Sequence, residues 1–406
     1  MRPRTAPPAG VLAVLVALVA LVALLVPAGP AGAAGAAPAR HEVVTWGASA
    51  QDVGTAVADR AFRLVVHTSV GGDNLRVRLS NAFGDRPVTF DNVHAGRQKS
   101  GAELVRGSNS PLTFGGSRTV TVPPGGSVLS DPLPGRLPAG TNLVVSIHTP
   151  DAAGRLTGHG MAMQTSYYTQ GDHTAEESAT HWAARTGSWF YLDAVTVRTD
   201  SSTGAVVTLG DSITDGWESS TDLNRRWPDY LARRLRTSTA TTVEGVANQG
   251  ISGNKVLTDG AGVSALNRLD RDVLSHPGVR TVFLFEGIND IKAHSGVTAA
   301  DLIAGYREIA DRAHAAGKCV VVATVGPYKG WYEWDEAGEA VRQEVNAFLR
   351  TSGDFDAVAD FDRALRSPYD RQRILPFLDN GDHLHPNDKG MQVMADTVDL
   401  ASLDCR

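Results

Sequence analysis

Ala205-Val206-Val207-Thr208-Leu209-Gly210-Asp211-Ser212-Ile213-Thr214-Asp215-Gly216 is the segment on which the reading of this 406-residue chain turns. Residues 205–209 form an apolar run of strand length. Gly210-Asp211-Ser212 follows at once, with residue types that suit a turn or a helix start. In a parallel sheet, reactive side chains gather where strands end at their carboxyl edge. A serine placed there, just before a helix, exposes its hydroxyl and leaves its own N–H free to donate. Taken alone, the tripeptide is more often an ordinary turn or N-cap.

The rhythm of that segment repeats downstream. Apolar runs at 243–247, 279–285, 319–325 and 355–358 read as buried strands. Helical stretches fall at 228–236, 299–316, 336–349 and 391–400. Strand–helix alternation implies parallel strands joined by right-handed crossovers, hence an α/β sandwich. Upstream, residues 41–200 follow another pattern. Leu75-Arg76-Val77-Arg78-Leu79 alternates with the period of a half-buried strand, as does 119–122, and 143–147 is a more buried version. Turn clusters such as Gly71-Gly72-Asp73-Asn74 and Pro123-Pro124-Gly125-Gly126 separate them, and no convincing helical stretch intervenes. This predicts an all-β sandwich, jelly-roll-like, over 40–200, followed by an α/β domain over 204–406. The boundary falls in the polar stretch Asp200-Ser201-Ser202-Thr203-Gly204.

Composition agrees with a globular chain: 42% hydrophobic, 20% charged, 42 Gly and 20 Pro. Fibrous and wholly disordered classes are thereby excluded. The net charge of −6 argues against a nucleic-acid partner, which a basic chain would favour. It leaves oligomeric state open. Arg2 and Arg4 precede an unbroken apolar run over 11–26, and small residues follow in the patterns Ala31-Gly32-Ala33 and Ala37-Pro38-Ala39. Residues 1–39 therefore read as a secretory signal peptide, the alternative being an uncleaved anchor. On that reading the protein is secreted, with no membrane span once the signal is removed. The two cysteines, Cys319 and Cys405, are then an even count in an oxidising compartment. A bridge would pin the C-terminus to the 319–325 strand; two unpaired thiols are the alternative.

Three further segments carry polar groups at strand or helix ends. Gly381-Asp382-His383-Leu384-His385-Pro386-Asn387 precedes the last helix, and its Asp382 and His385 stand three apart. A tight loop can turn both toward one point, so that the carboxylate orients the imidazole and the imidazole faces a nucleophile. Asp379, Asp382, His383 and His385 are also possible metal ligands, but no further ligand motif accompanies them. His383, next to the candidate base, would point elsewhere in an extended stretch and reads as structural. Asn248-Gln249-Gly250-Ile251-Ser252-Gly253-Asn254 and Glu286-Gly287-Ile288-Asn289-Asp290 each follow a strand. Glycine N–H groups, the Asn289 amide and the Ser212 N–H are suited to an oxyanion hole. Individually, each segment is a plain turn.

In combination the segments resemble the SGNH (GDSL-type) hydrolase family over about 204–402. Ser212, Gly253, Asn289 and His385 match its four named residues, and Asp382 matches its triad acid. Gly-Asp-Ser-Ile replaces the usual Gly-Asp-Ser-Leu. Arg226-Trp227-Pro228-Asp229 and the Glu286 and Gly381 segments look closest to secreted actinobacterial and XynE-like esterases. The resemblance implies an SGNH-type three-layer sandwich and a serine esterase. Its triad would be Ser212, His385 and Asp382, with Ser212, Gly253 and Asn289 as oxyanion donors and no metal or organic cofactor. Asp211 and Asn248 would brace the loops. No Gly-x-Ser-x-Gly elbow is present. Tyr328, Trp331, Tyr332 and Trp334 crowd the segment after the 319–325 strand and would either line a substrate site or pack a loop. The expected substrate is an O-acyl, above all O-acetyl, ester on a polysaccharide. A lipase or phospholipase acting on longer acyl chains of lipids comes second, and a non-catalytic glycan-binding protein third.

Overall fold

The computed structural model describes residues 39–405. The signal peptide expected over 1–39 lies outside them, apart from Ala39 itself. Residues 39–405 form one compact unit, and among them no helix is long and apolar enough to cross a membrane.

Residues 40–200 are mostly β-strand. Arg40–Gly47 pairs with Leu192–Asp200, which pairs with Gly72–Ser80, all antiparallel. A second antiparallel sheet orders Ser166–Gln170, Arg60–His67, Asn142–Thr149 and Asn92–Ser100 side by side. Along Gly72–Ser80 the alternation is realised: Leu75, Val77 and Leu79 are buried, while Arg76 reaches Glu42 and Arg78 reaches Asp193 at 2.8 Å. Inward residues of both sheets, among them Leu64, Val145, Val77 and Val195, share one apolar cluster. Asn142–Thr149 is buried continuously from Leu143 onward because its other face is covered too. Val144 packs there with Val65, Tyr167 and Trp182.

The C-terminal part is built on five parallel strands ordered Val243–Gly250, Gly204–Gly210, Val279–Phe285, Cys319–Ala323 and Ala357–Ala359. Their side chains alternate between two clusters. Val206, Phe283 and Val321 face Trp227–Leu235 and Asp388–Thr397, whose Trp227, Leu231 and Met394 lie in one cluster. Val207, Val282, Leu284 and Val322 share the other with Tyr306 and Ile309 of Ala299–Ala315 and with Val345 of Glu336–Thr351. Helices thus cover both faces of a sheet whose central strands are buried, an α/β fold in three layers. The last helix starts earlier than its apolar pattern suggests, because the Asn387 side chain caps it by accepting the N–H groups of Lys389 and Gly390. The strand from Cys319 ends at Ala323, beyond which the Val325 N–H turns to the Asn346 side chain.

Cys319 and Cys405 form a disulfide, with Cα atoms 5.5 Å apart. The two parts meet along a buried seam. Ser69 accepts the Val246 N–H at 2.8 Å, Ser49 donates to Gln249 at 2.7 Å, and the main apolar cluster runs through both parts.

Candidate active site

The first strand of the parallel sheet sits between the second and third, so the winding reverses there and leaves a crevice at the carboxyl edge. Gly210 is in register with Gly250 on one side and Phe285 on the other, so three loops leave the sheet at one level. A Cβ on Gly210 would stand 2.2 Å from the Thr214 hydroxyl and 2.5 Å from the Phe285 carbonyl, so only glycine allows so tight a turn. Ser212 opens the one-turn helix Ser212–Asp215, and Asp211 caps it by accepting the Ile213 N–H.

The Ser212 hydroxyl lies 2.8 Å from His385 Nε2, and His385 Nδ1 lies 2.6 Å from Asp382 Oδ2. Nδ1 faces a carboxylate and therefore carries the ring proton, which leaves Nε2 to accept from Ser212. Asp382 Oδ1 also takes the N–H groups of Leu384 and His385, both at 2.8 Å. Burial alone would raise Asp382. The bond to the His385 ring and the two backbone N–H groups outweigh burial and hold it at about 2. The carboxylate thus stays ionised beside the imidazole. Ser212, Asn289 and His385 are all buried, each less than a tenth exposed.

The second loop carries Gly253 in a left-handed conformation, φ +79°. Asn289, on Ile288–Lys292, donates its amide to the Asn254 carbonyl at 2.9 Å and so ties the third loop to the second. That bond uses one of the two hydrogens of the amide. Asn248 donates to the Thr214 carbonyl at 2.7 Å and accepts the Gly250 N–H at 2.9 Å, bracing the Ser212 turn against its neighbour. Asp211 is buried, which pushes its carboxyl up to about 6 against the Ile213 N–H.

His383 does not lie in an extended stretch. Its φ is +70°, and its ring binds Asp379 at 2.7 Å. Asp379 and Asp382 are thereby each engaged by a different imidazole. Among the described residues, the group whose ligand atoms lie within 4.8 Å of one another is instead His173, Glu176 and His181, in the β part.

The four aromatic residues of the 328–334 segment separate. Trp331 stands edge-on to His385, ring centroids 5.9 Å apart, and Tyr332 packs on Trp331 at 4.7 Å with its ring largely exposed. Tyr328 is not at the site. It is fully buried in the main cluster, its hydroxyl end so close to Gly338 that a Cβ there would clash at 2.4 Å. Trp334 packs against the same cluster. Trp217, which the sequence reading missed, lies 6.1 Å from His385 and is 42% exposed. Its N–H returns to the Ser212 carbonyl at 2.9 Å, and an aromatic five residues past the serine was the available signal. Arg268 was also missed. Fully buried, it donates to the Gly210 and Gln249 carbonyls, to Asn254 Oδ1 and to Ser49, linking two of the loops to the β part.

Residues 208–393 match the model of the GDSL-like lipase/acylhydrolase family. No curated protein matches the chain. Among solved structures it is similar to a GDSL-like lipase from Bacteroides thetaiotaomicron, at 20% identity and TM-score 0.38 over 48% of this chain and 84% of that one. An aryl esterase from M. smegmatis is similar at 18% identity and TM-score 0.39, over 48% and 95%. So is Est24, a carbohydrate acetylesterase from Sinorhizobium meliloti, at 18% and TM-score 0.38, over 48% and 95%.

Proposed function

Residues 208–393 belong to the GDSL-like lipase/acylhydrolase family, and on that premise we propose that this serine ester hydrolase works through an acyl-enzyme on Ser212 and removes short acyl groups, above all O-acetyl, from carbohydrates. The observation that carries the mechanism is the unbroken chain from Ser212 through His385 to Asp382, at 2.8 and 2.6 Å. His385 Nε2 takes the hydroxyl proton as Ser212 Oγ bonds to the ester carbonyl carbon. The oxyanion receives the N–H groups of Ser212 and Gly253 and the Asn289 amide. Collapse breaks the bond to the alcohol, which leaves with the proton from His385. A water then repeats the sequence and frees the acid.

One observation favours an ester carried on a sugar. Trp217 and Trp331, both close to His385, offer aromatic faces on which a sugar ring can stack. The Cys319–Cys405 disulfide supports a secreted protein, since such bonds persist in oxidising compartments. We also read the two antiparallel sheets of residues 40–200 as the layers of a β-sandwich.

The test is hydrolysis of p-nitrophenyl esters from acetyl to palmitoyl, with acetylated xylo-oligosaccharide alongside. The expected result is a sharp preference for acetyl, release of acetate from the oligosaccharide, and no turnover by Ser212→Ala. Rates that rise with chain length would replace this substrate class with longer acyl esters.

A further inference from the structure

His159 is the last residue of Arg155–His159, a strand of the β part, yet its ring enters the other part. The ring is buried. Its Nδ1 lies 3.0 Å from the Ser49 carbonyl oxygen. Its Nε2 lies 2.9 Å from Asp215 Oδ1 and 3.0 Å from the Met161 carbonyl oxygen. All three neighbours are acceptors, so both ring nitrogens must carry hydrogen and the ring is an imidazolium. Asp215 is its counter-ion and closes the one-turn helix that Ser212 opens. The other carboxylate oxygen of Asp215 accepts the N–H of Ser252 at 2.9 Å and its hydroxyl at 3.0 Å. Ser252 immediately precedes Gly253.

We propose that His159 is a positioning residue for ester hydrolysis: through Asp215 it fixes the Ser252–Gly253 peptide, so that the β part completes the oxyanion hole. This rests on the reading of Gly253 as an oxyanion donor. Asp215 is bonded at both ends, by a cation from the β part and by the loop it steers. A buried ion pair is a poor way to add stability, because desolvating both charges offsets their attraction. It is a good way to hold one carboxylate in one place. Donor placement at this point is what the chemistry is sensitive to, since an ångström of misplacement or one lost donor changes rate by about 100-fold. Arg226 and Asp229 share the small cavity beside His159, but they pair with each other at 2.7 Å.

The experiment compares His159→Ala, Asp215→Ala, the double variant and Ser212→Ala in the full chain. Active sites are titrated with a phosphonylating ester, and kcat and KM for p-nitrophenyl acetate are expressed per titrated site. The expected result for His159→Ala is a kcat about 10- to 100-fold lower with KM within threefold. The double variant should fall no lower than Asp215→Ala, because both act along one path. A residue that served only the fold would reduce the number of titratable sites and leave kcat per site unchanged, and that outcome overturns the proposal. So do additive effects of the two single variants. Should His159→Ala fail to fold, His159→Gln keeps an amide donor toward Asp215 and should show an intermediate loss of kcat; a wild-type kcat there overturns the proposal equally. Turnover surviving in Ser212→Ala would instead overturn the reading of the site itself.

Discussion

Replacing Asp382 with Asn separates chemistry from stability. The wild-type carboxylate accepts three hydrogen bonds, one from the His385 ring at 2.6 Å and two from backbone N–H groups at 2.8 Å. Asn keeps the shape but has one acceptor oxygen. If that oxygen stays with the backbone donors, the amide N–H₂ faces His385 Nδ1, and the ring proton moves to Nε2. The imidazole then cannot accept from Ser212. In a triad of this geometry that tautomer error lowers kcat by about 10⁴. The stability term is far smaller. Asp382 is held at about 2 against an ordinary value of 3.8, a gap of roughly 2.4 kcal/mol at 1.36 kcal/mol per pH unit. The side chain is 28% exposed, and solvent screening reduces this to about 1 kcal/mol. That stability is present above 3.8 and is lost as pH falls through 3.8 toward 2. At neutral pH the variant should therefore melt within about 4 °C of wild type while losing three to four decades of kcat on p-nitrophenyl acetate. A folded variant within tenfold of wild-type kcat would refute the assignment of Asp382 as the residue that orients His385.

Two other outcomes follow, one from Asp211 and one from the disulfide. Asp211 is raised to about 6 by burial, so its stabilising contribution is full below 3.8 and is lost as pH climbs through 6. Asp211→Asn keeps a good helix cap without that loss, so the melting midpoint of the variant should gain on wild type between pH 4 and pH 7; parallel curves would contradict the burial argument. The disulfide joins residues 86 apart, and Cys405→Ser should lower unfolding free energy in denaturant titrations by about 4–5 kcal/mol in the chain-entropy account. Its kcat should be unchanged, because Cys319 begins its strand and Ser212 lies past the opposite end of the sheet.

What could be read in advance was local. Val279–Phe285 matches its expected range end for end: Val282 to Phe285 are buried on both faces, and Thr281 near the start donates its hydroxyl to the Leu403 carbonyl. Ser212, Asp382 and His385 stand out because each lies in a short motif at a strand or helix end. Tyr328 and Trp331, three residues apart, look alike in sequence, yet one fills the core and the other faces His385. Aromatic character alone does not say which side of a loop meets water. The contacts of His159 with Asp215 and of Ser49 with Arg268 span 56 and 219 residues, and no periodicity or motif marks such partners.

Residues 201–203 are all that joins the last β strand of the first part to the first strand of the parallel sheet. With the seam closed by Ser49, Ser69 and His159, melting one side first breaks buried polar contacts of the other. Detaching the β strands would take Ser49 from Arg268 and separate the His159 imidazolium from the Asp215 carboxylate. Heat and denaturant therefore act on a single cooperative unit, with no free half to populate. Ester turnover becomes a gauge of folding in strands that never approach the ester, and damage far out in the β-sheets registers as missing enzyme.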